Sequence, residues 1–154
     1  MLLDLDESQL VLVDYQIRLM PAMLEGAAAL ANAVRLAQMA ALLHVPVFAT
    51  EQNPSGLGGS VPELEAALKQ AGARVLSKMQ FSAVEEGLGE WLRPPPKPLQ
   101  GNARSLPKHL QKAPASSERG TIVLAGCEAH VCLMQTALDL LEDEFDVWVV
   151  TDAC

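Results

Sequence analysis

The sequence predicts a three-layer α/β/α fold around a mainly parallel sheet. Short apolar runs that suit strands alternate along the chain with longer segments of helical spacing, and this alternation is typical of parallel sheets with right-handed crossovers. The first run, Leu10 to Val13, is continuously apolar and ends at Asp14. Such a run is expected of a strand that is buried on both faces of a sheet.

Five strands and four helices are predicted in chain order. The predicted strands are 10–13, 45–49, 74–77, 121–125 and 147–150. The first predicted helix is 25–44, which Pro46 stops, and the last is 131–142. Between them, one helix is opened by a capping box at 60–63 and closed by Gly72. A weaker helix is opened by a second capping box at 82–85 and is interrupted by Gly87 and Gly89. Residues 53–59 and 126–130 are predicted to be a loop and a turn.

The 154 residues are expected to form one domain, 1–154, with an insertion at about 94–118. The insertion begins Pro-Pro-Pro-Lys-Pro and ends in a stretch rich in Ser, Glu and Arg. This composition favours an exposed, flexible segment, apart from a short turn around 106–111.

Composition narrows the class of partner. Nineteen acidic and eleven basic side chains give a net charge of -8, which argues against nucleic acid because phosphate binding needs a Lys/Arg patch. No apolar run approaches the roughly 20 residues that span a bilayer, and the acidic N-terminus is unlike a signal peptide. We therefore expect a cytoplasmic protein with no nucleic-acid partner and no membrane partner. The three cysteines form no CxxC pair, so reduced thiols are expected.

The predicted topology gathers distant polar residues. The strands of a parallel sheet end at one edge, and ligands bind in the crevice there. The residues that directly follow predicted strands are Asp14, Thr50-Glu51, Lys78, Gly126-Cys127 and Thr151-Asp152. An acid, a lysine and a cysteine-bearing turn are therefore expected at the same rim.

Cys132, at the start of the last predicted helix, is the candidate nucleophile at this rim. A helix N-terminus favours the thiolate, and Lys78 is expected to lower the thiol pKa further. Asp14 could take the thiol proton and return it to a leaving group, while amides of the turn hold an oxyanion. Taken singly, Cys132 also fits a small core residue, Asp14 a turn cap and Lys78 a surface lysine. The arrival of all three at one edge favours catalysis.

Three motifs lie at the ends of predicted strands. They are Val-Asp-Tyr-Gln at 13–16, Ser-Lys-Met-Gln-Phe-Ser-Ala at 77–83 and Gly-Cys-Glu-Ala-His-Val-Cys-Leu-Met-Gln-Thr-Ala at 126–137. Together they resemble the isochorismatase-like cysteine hydrolases. The loop Thr-Glu-Gln-Asn-Pro-Ser-Gly-Leu-Gly at 50–58 is similar to that of the isochorismatase domain-containing branch. The likeness runs from about residue 8 to residue 154, the insertion aside. It implies a Rossmann-like fold, and we expect the C-terminal helix–strand–helix that members usually carry to lie outside this sequence.

The resemblance also implies chemistry. It assigns a Cys-Asp-Lys triad to Cys132, Asp14 and Lys78, and a thioester route for a small amide or carbamoyl substrate. It implies a cis peptide in the turn before the nucleophile, at Cys127–Glu128, which would aim the amides of Glu128 and Cys132 at the oxyanion. A homo-oligomer is expected by the same likeness.

The sequence departs from the wider family at the second strand. Nicotinamidases carry a metal site of an Asp and histidines there, whereas residues 51–53 read Glu-Gln-Asn and hold no histidine. No metal and no cofactor are therefore expected. Isochorismatase proper lacks the nucleophilic cysteine, so Cys132 directs the prediction towards amide-like substrates.

Five further residues are candidates for the pocket. Gln16 could bond in the pocket or orient the local backbone, Glu51 lies at the rim, and Phe81 could wall the cavity or join the core. Cys127 is expected to be a small buried residue, and for His130 packing is favoured over catalysis. Two alternatives to hydrolysis are a non-catalytic oligomeric binding protein that keeps the fold and a redox sensor that uses Cys127 and Cys132.

Overall fold

The computed structural model describes residues 2–94 and 119–154. Its five strands are β1 (Ser8–Val13), β2 (Val47–Gln52), β3 (Arg74–Lys78), β4 (Thr121–Gly126) and β5 (Asp146–Val149). All neighbouring strands run parallel, in the order β3-β2-β1-β4-β5. The predicted parallel α/β sheet is confirmed. β1 lies at its centre.

The helices are α1 (Gly26–Leu42), α2 (Pro54–Leu57), α3 (Pro62–Gln70), α4 (Gly89–Leu92) and α5 (Cys132–Glu142). A π-helical turn, Val84–Leu88, precedes α4, and short 3-10 turns cover Met20–Ala22 and Thr151–Ala153. The short helix α2 lies inside the segment predicted as loop. No described helix is long and apolar enough to cross a membrane.

Two apolar layers sandwich the sheet. Leu10 and Leu12 face a core formed with α1 and α3, while Val11 and Val13 face a second core formed with α5 and the segment 84–92. Alternate side chains of a strand point to opposite faces, so β1 contributes to both cores. This arrangement explains why its apolar run is continuous.

Strand β2 extends further than predicted. It continues past Ala49 to Gln52, because Glu51 pairs with Ser77 and Gln52 with Lys78 across the sheet. Polar side chains are tolerated there because each one finds a hydrogen-bond partner. The extension brings Gln52 beside the lysine.

Both predicted capping boxes are wrong in detail. Val61, not Ser60, is the N-cap of α3, and the Ser60 hydroxyl donates to Glu51 Oε1 at 2.8 Å instead. Ser82 Oγ accepts the N–H of Val84 at 3.2 Å, and a π-helical turn follows. In both places a local side-chain bond replaces the reciprocal box.

Gly126 allows β4 to approach β1 closely at the carboxyl edge. A Cβ at this position would lie 2.7 Å from Val13 O, nearer than packing permits. The absence of a side chain therefore lets the turn after β4 reach Asp14. The predicted insertion at 94–118 and its turn at 106–111 lie outside the described residues, except for Pro94.

Candidate active site

Asp14 directly follows the central strand β1 and is fully buried. Its backbone has a φ of 59°, in the left-handed region, where the chain turns sharply after β1. Its Oδ1 accepts the hydroxyl proton of Thr50 at 2.7 Å. The carboxylate is thereby held in one orientation at the rim.

Lys78 is the last residue of β3 and is also buried. Its Nζ lies 2.9 Å from Asp14 Oδ2, and both side chains are fully enclosed. The ammonium donates to Gln52 Oε1 at 2.7 Å, to Phe81 O at 3.0 Å and to Gln80 O at 3.3 Å. An ammonium has three N–H groups, and these acceptors occupy them.

This bonding leaves one oxygen of Asp14 open. Oδ2 forms an ion pair with Lys78, yet no aligned hydrogen bond reaches it from the described residues. The ion pair with Lys78 compensates the charge of this oxygen, and a lone pair remains free to accept a hydrogen bond from a neighbouring group.

Cys132 is the first residue of α5 and is fully buried. One turn further along the helix, Thr136 Oγ1 accepts the N–H of Ala83 at 3.1 Å. This bond ties α5 to the loop that follows Lys78. Within the described residues, the amides of Glu128 and Cys132 donate to no backbone acceptor, so both are available to an oxyanion.

The prediction of a lowered thiol pKa is wrong. Burial raises the pKa of Cys132 to about 12, and the Asp14 carboxylate adds to the rise by repelling the thiolate. The Lys78 ammonium lowers the pKa of the thiol, but the pKa stays raised because Asp14 neutralises much of the positive charge of Lys78. Glu128, with Oε2 at 3.7 Å from the sulfur, raises the pKa further. The resting group is a thiol.

The predicted cis peptide at Cys127–Glu128 is also wrong, since the described residues contain no cis bond. Glu128 instead adopts a φ of 55°. A left-handed residue reverses the chain while its peptide bonds stay trans, so the turn closes in this way.

Gln16 and Glu51 orient the backbone around the site. Gln16 is buried, and its amide bonds both backbone groups of Gln52, at 2.8 and 2.9 Å, and also Gly58 O. Glu51 Oε1 accepts the amide and the hydroxyl of Ser60. Of the two interpretations of Gln16, the structure favours backbone orientation.

The other candidates lie in different surroundings. Phe81 is half exposed and contacts the site through its carbonyl, which accepts a bond from Lys78. His130 is exposed on the turn. Cys127 belongs to the opposite core, where its Sγ lies 3.1 Å from Met20 Sδ. Because Cys127 and Cys132 pack in different layers, the redox-pair alternative loses its geometric basis.

Sequence reasoning missed the role of two β2 residues. Thr50 was recognised only as a rim residue and Gln52 only as a position without a histidine, yet they bond Asp14 and Lys78 directly. Their spacing held a signal, because residues two apart on a strand point to one face. No three His, Cys, Asp or Glu side chains in the described ranges cluster in a way that could hold a metal.

A sequence profile of the isochorismatase domain matches residues 8–96 and 103–154. The chain belongs to the isochorismatase family. Membership gives it the hydrolase-like fold of that family, and the resemblance of its three motifs is confirmed.

Curated relatives point to one branch of the family. The chain is 36% identical over 149 residues to isochorismatase domain-containing protein 2 of Rattus norvegicus, a match that covers 97% of the chain and 59% of the relative. It is 33% identical to the protein of that name from Danio rerio, covering 95% and 61%. The chain thus spans about three fifths of the length of these relatives.

Solved structures share the fold. MAR1 ribonuclease of Caenorhabditis elegans superimposes with a TM-score of 0.78 at 28% identity, over 98% of this chain and 66% of that one. The YcaC gene product of Escherichia coli, an octameric hydrolase of unknown specificity, gives a TM-score of 0.73 at 24% identity, over 98% and 65%. At this lower identity the likeness supports the fold alone.

Proposed function

We propose that this protein is a cysteine hydrolase of small amide or carbamoyl compounds, with Cys132 as nucleophile, Asp14 as proton carrier and Lys78 as the fixed charge that holds Asp14. The open Oδ2 of Asp14 is the observation that carries the proposal, because a buried acceptor next to a thiol supports proton transfer.

In the first step the thiol proton moves to Asp14 Oδ2 while the sulfur attacks the substrate carbonyl. The carbonyl oxygen becomes negative, and the free amides of Glu128 and Cys132 stabilise it. Asp14 then returns the proton to the nitrogen as the C–N bond breaks. Ammonia or an amine leaves, and a thioester on Cys132 remains.

In the second step water attacks the thioester. Asp14 takes a proton from the water, and that proton passes to the sulfur as the C–S bond breaks. The products are a carboxylic acid and the original thiol, so the enzyme is regenerated. Lys78 stays bonded to Gln52 and Phe81 throughout, since it has no free donor to offer.

The high thiol pKa is consistent with this order of events. A preformed thiolate beside two carboxylates would be costly, whereas proton transfer coupled to attack never accumulates it. Lys78 then serves to pair with Asp14 and orient it, which is a positioning role, rather than to lower the thiol pKa outright.

An amide and carbamoyl panel with the purified chain tests the proposal by ammonia release. Asp14→Asn is expected to lower turnover of any substrate by about 10²–10⁴-fold, the usual contribution of a positioned acid–base group. Intact-mass analysis should find the acyl adduct on Cys132. Turnover that survives in Cys132→Ala, or an adduct elsewhere, contradicts the proposal.

Lys78→Met needs a matched variant, because it leaves the buried Asp14 charge without a partner at a cost of about 3–5 kcal/mol. The double variant Asp14→Asn/Lys78→Met removes both charges and is expected to recover most of that stability, measured by urea unfolding. Stability regained without activity separates the chemical role of the pair from its structural cost.

One observation favours a second candidate, a non-catalytic binding protein. The thiol pKa of about 12 makes Cys132 a weak nucleophile until a base acts on it. This candidate predicts ligand binding by calorimetry with no ammonia release across the panel. Action on RNA, which the name of the Caenorhabditis elegans protein suggests, is disfavoured here by the net charge of -8.

We also propose a homo-oligomer. The support is the octameric Escherichia coli hydrolase of the same fold. Light scattering of the purified chain tests this, and a monomer at working concentration contradicts it.

A further inference from the structure

We propose that the Glu128 carboxylate selects the substrate by charge, so that the site takes neutral or cationic amides and rejects those with a carboxylate beside the reacting carbonyl. The inference deepens the proposed hydrolysis and rests on Cys132 as its nucleophile.

Glu128 is the charged group that a ligand meets first. Its Oε2 lies 3.7 Å from Cys132 Sγ. Three charged groups act on the thiol, and two of them, Asp14 and Lys78, are fully enclosed. Glu128 is only partly buried, so among the three it alone is accessible from solvent.

The charge of Glu128 is not compensated within the described residues. Asp14 and Lys78 neutralise each other at 2.9 Å, while Glu128 forms no ion pair there. Two carboxylates and one ammonium therefore leave a net negative charge around the sulfur. Glu128 would repel an anionic ligand group within about 4 Å, and this repulsion would weaken the binding of the ligand about tenfold or more.

The Glu128 carboxylate complements neutral and cationic ligands that carry N–H groups. Carboxylate oxygens only accept hydrogen bonds, and amide, urea and protonated amine nitrogens supply N–H donors. Because the sulfur attacks the carbonyl carbon, the contact places these acceptors near the groups attached to that carbon. Glu128 therefore suits a neutral or cationic substrate.

Two alkylating reagents test the inference without turnover. Iodoacetamide and iodoacetate react at the same carbon and differ in an amide against a carboxylate. Their rates at Cys132 are measured at pH 9 by peptide-resolved mass spectrometry, in the native chain and in urea. The amide-to-acid rate ratio is expected to be about tenfold or more higher in the native chain.

Matched variants assign this selectivity to its source. Glu128→Gln is expected to remove most of the native excess in the ratio, and Glu128→Asp, which keeps the charge, to retain it. Glu142→Gln makes the same charge change on an exposed residue at the other end of α5 and should leave the ratio as in the unaltered chain.

Three results would overturn the inference: a native ratio equal to that in urea, a Glu128→Gln ratio equal to that of Glu142→Gln, or no labelling of native Cys132 by either reagent. The readout is independent of hydrolysis. Charge-selective labelling with no substrate turned over defeats the proposed function alone, while amide turnover with unselective labelling defeats only the role of Glu128.

Discussion

Cys127 and Cys132 border the same turn, and their side chains pack on opposite faces of the sheet. Burial raises the pKa of both thiols to about 12. Cys127 packs on the α1 side of the sheet against the Met20 sulfur, while Cys132 packs on the α5 side next to Asp14 and Glu128. Acidity at rest therefore does not distinguish a nucleophile from a core residue here. The carboxylates of Asp14 and Glu128 act on both thiols, and Cys132 differs in that it lies on the face of the sheet where the Lys78 ammonium also acts on it.

The largest expected effect separates the two thiols directly. Cys132→Ser is expected to lower amide turnover by at least about 10³-fold, because removing a nucleophile eliminates the covalent route. Cys127→Ala should keep turnover within a few fold and cost about 1–2 kcal/mol of stability, typical of a core substitution. Turnover and urea unfolding of both variants are the measurements. Equal losses of turnover would abolish the distinction between the thiols.

A pH series tests the property that the two thiols share, which is a raised pKa. The thiolate is the reactive species, so far below a pKa of about 12 its fraction rises tenfold per pH unit. Iodoacetamide labelling of each native cysteine should therefore rise about tenfold per unit from pH 7 to pH 10, with no plateau. A free thiol levels off above about pH 8.5. A plateau at Cys132 alone would mean that its resting pKa is not raised.

The raised pKa values of the two thiols also predict how the stability of the fold changes with pH. A thiol with a raised folded-state pKa holds its proton where the unfolded chain has lost it, so its contribution is complete below about pH 8.5 and is lost as pH rises towards 12. Stability is thus expected to fall with pH in that window. Replacing either cysteine by alanine should make the fall shallower.

An intermediate effect is expected at Gln52, whose side-chain oxygen accepts a hydrogen bond from Lys78, the charge partner of Asp14. Gln52→Leu removes an acceptor from the Lys78 ammonium, at about 1–3 kcal/mol, and should lower kcat about tenfold with KM little changed. Gln52→Glu keeps an acceptor oxygen and is expected to restore part of kcat. Gln38→Leu, on the exposed face of α1, is the control. A loss carried by KM instead would place Gln52 in substrate binding.

The smallest effect is expected at Met20. Met20→Leu changes the neighbour of Cys127 at nearly constant volume, so it should cost less than about 1.5 kcal/mol and leave hydrolysis unchanged. Thermal unfolding and turnover check this together. A clear loss of turnover would couple the two faces of the sheet and weaken the contrast between the thiols.

The sequence by itself determined the class of fold and the edge of the sheet where the site lies. Apolar runs such as Leu10 to Val13 alternate with helical segments, and burial of apolar surface makes that periodicity specify a parallel sheet. Parallel strands end at one edge, so the positions of Asp14 and Lys78 after their runs were enough to predict that they meet.

Only the tertiary structure decided the electrostatics of the site. The charge state of a thiol depends on its solvent exposure and on every charge nearby, and neither can be read from spacing along the chain. Burial and the Asp14–Lys78 pairing reversed the predicted shift at Cys132. The extension of β2 from Thr50 to Gln52 depends on pairing with β3, which is a contact between distant segments. The bond that Lys78 donates to Gln52 depends on the same pairing.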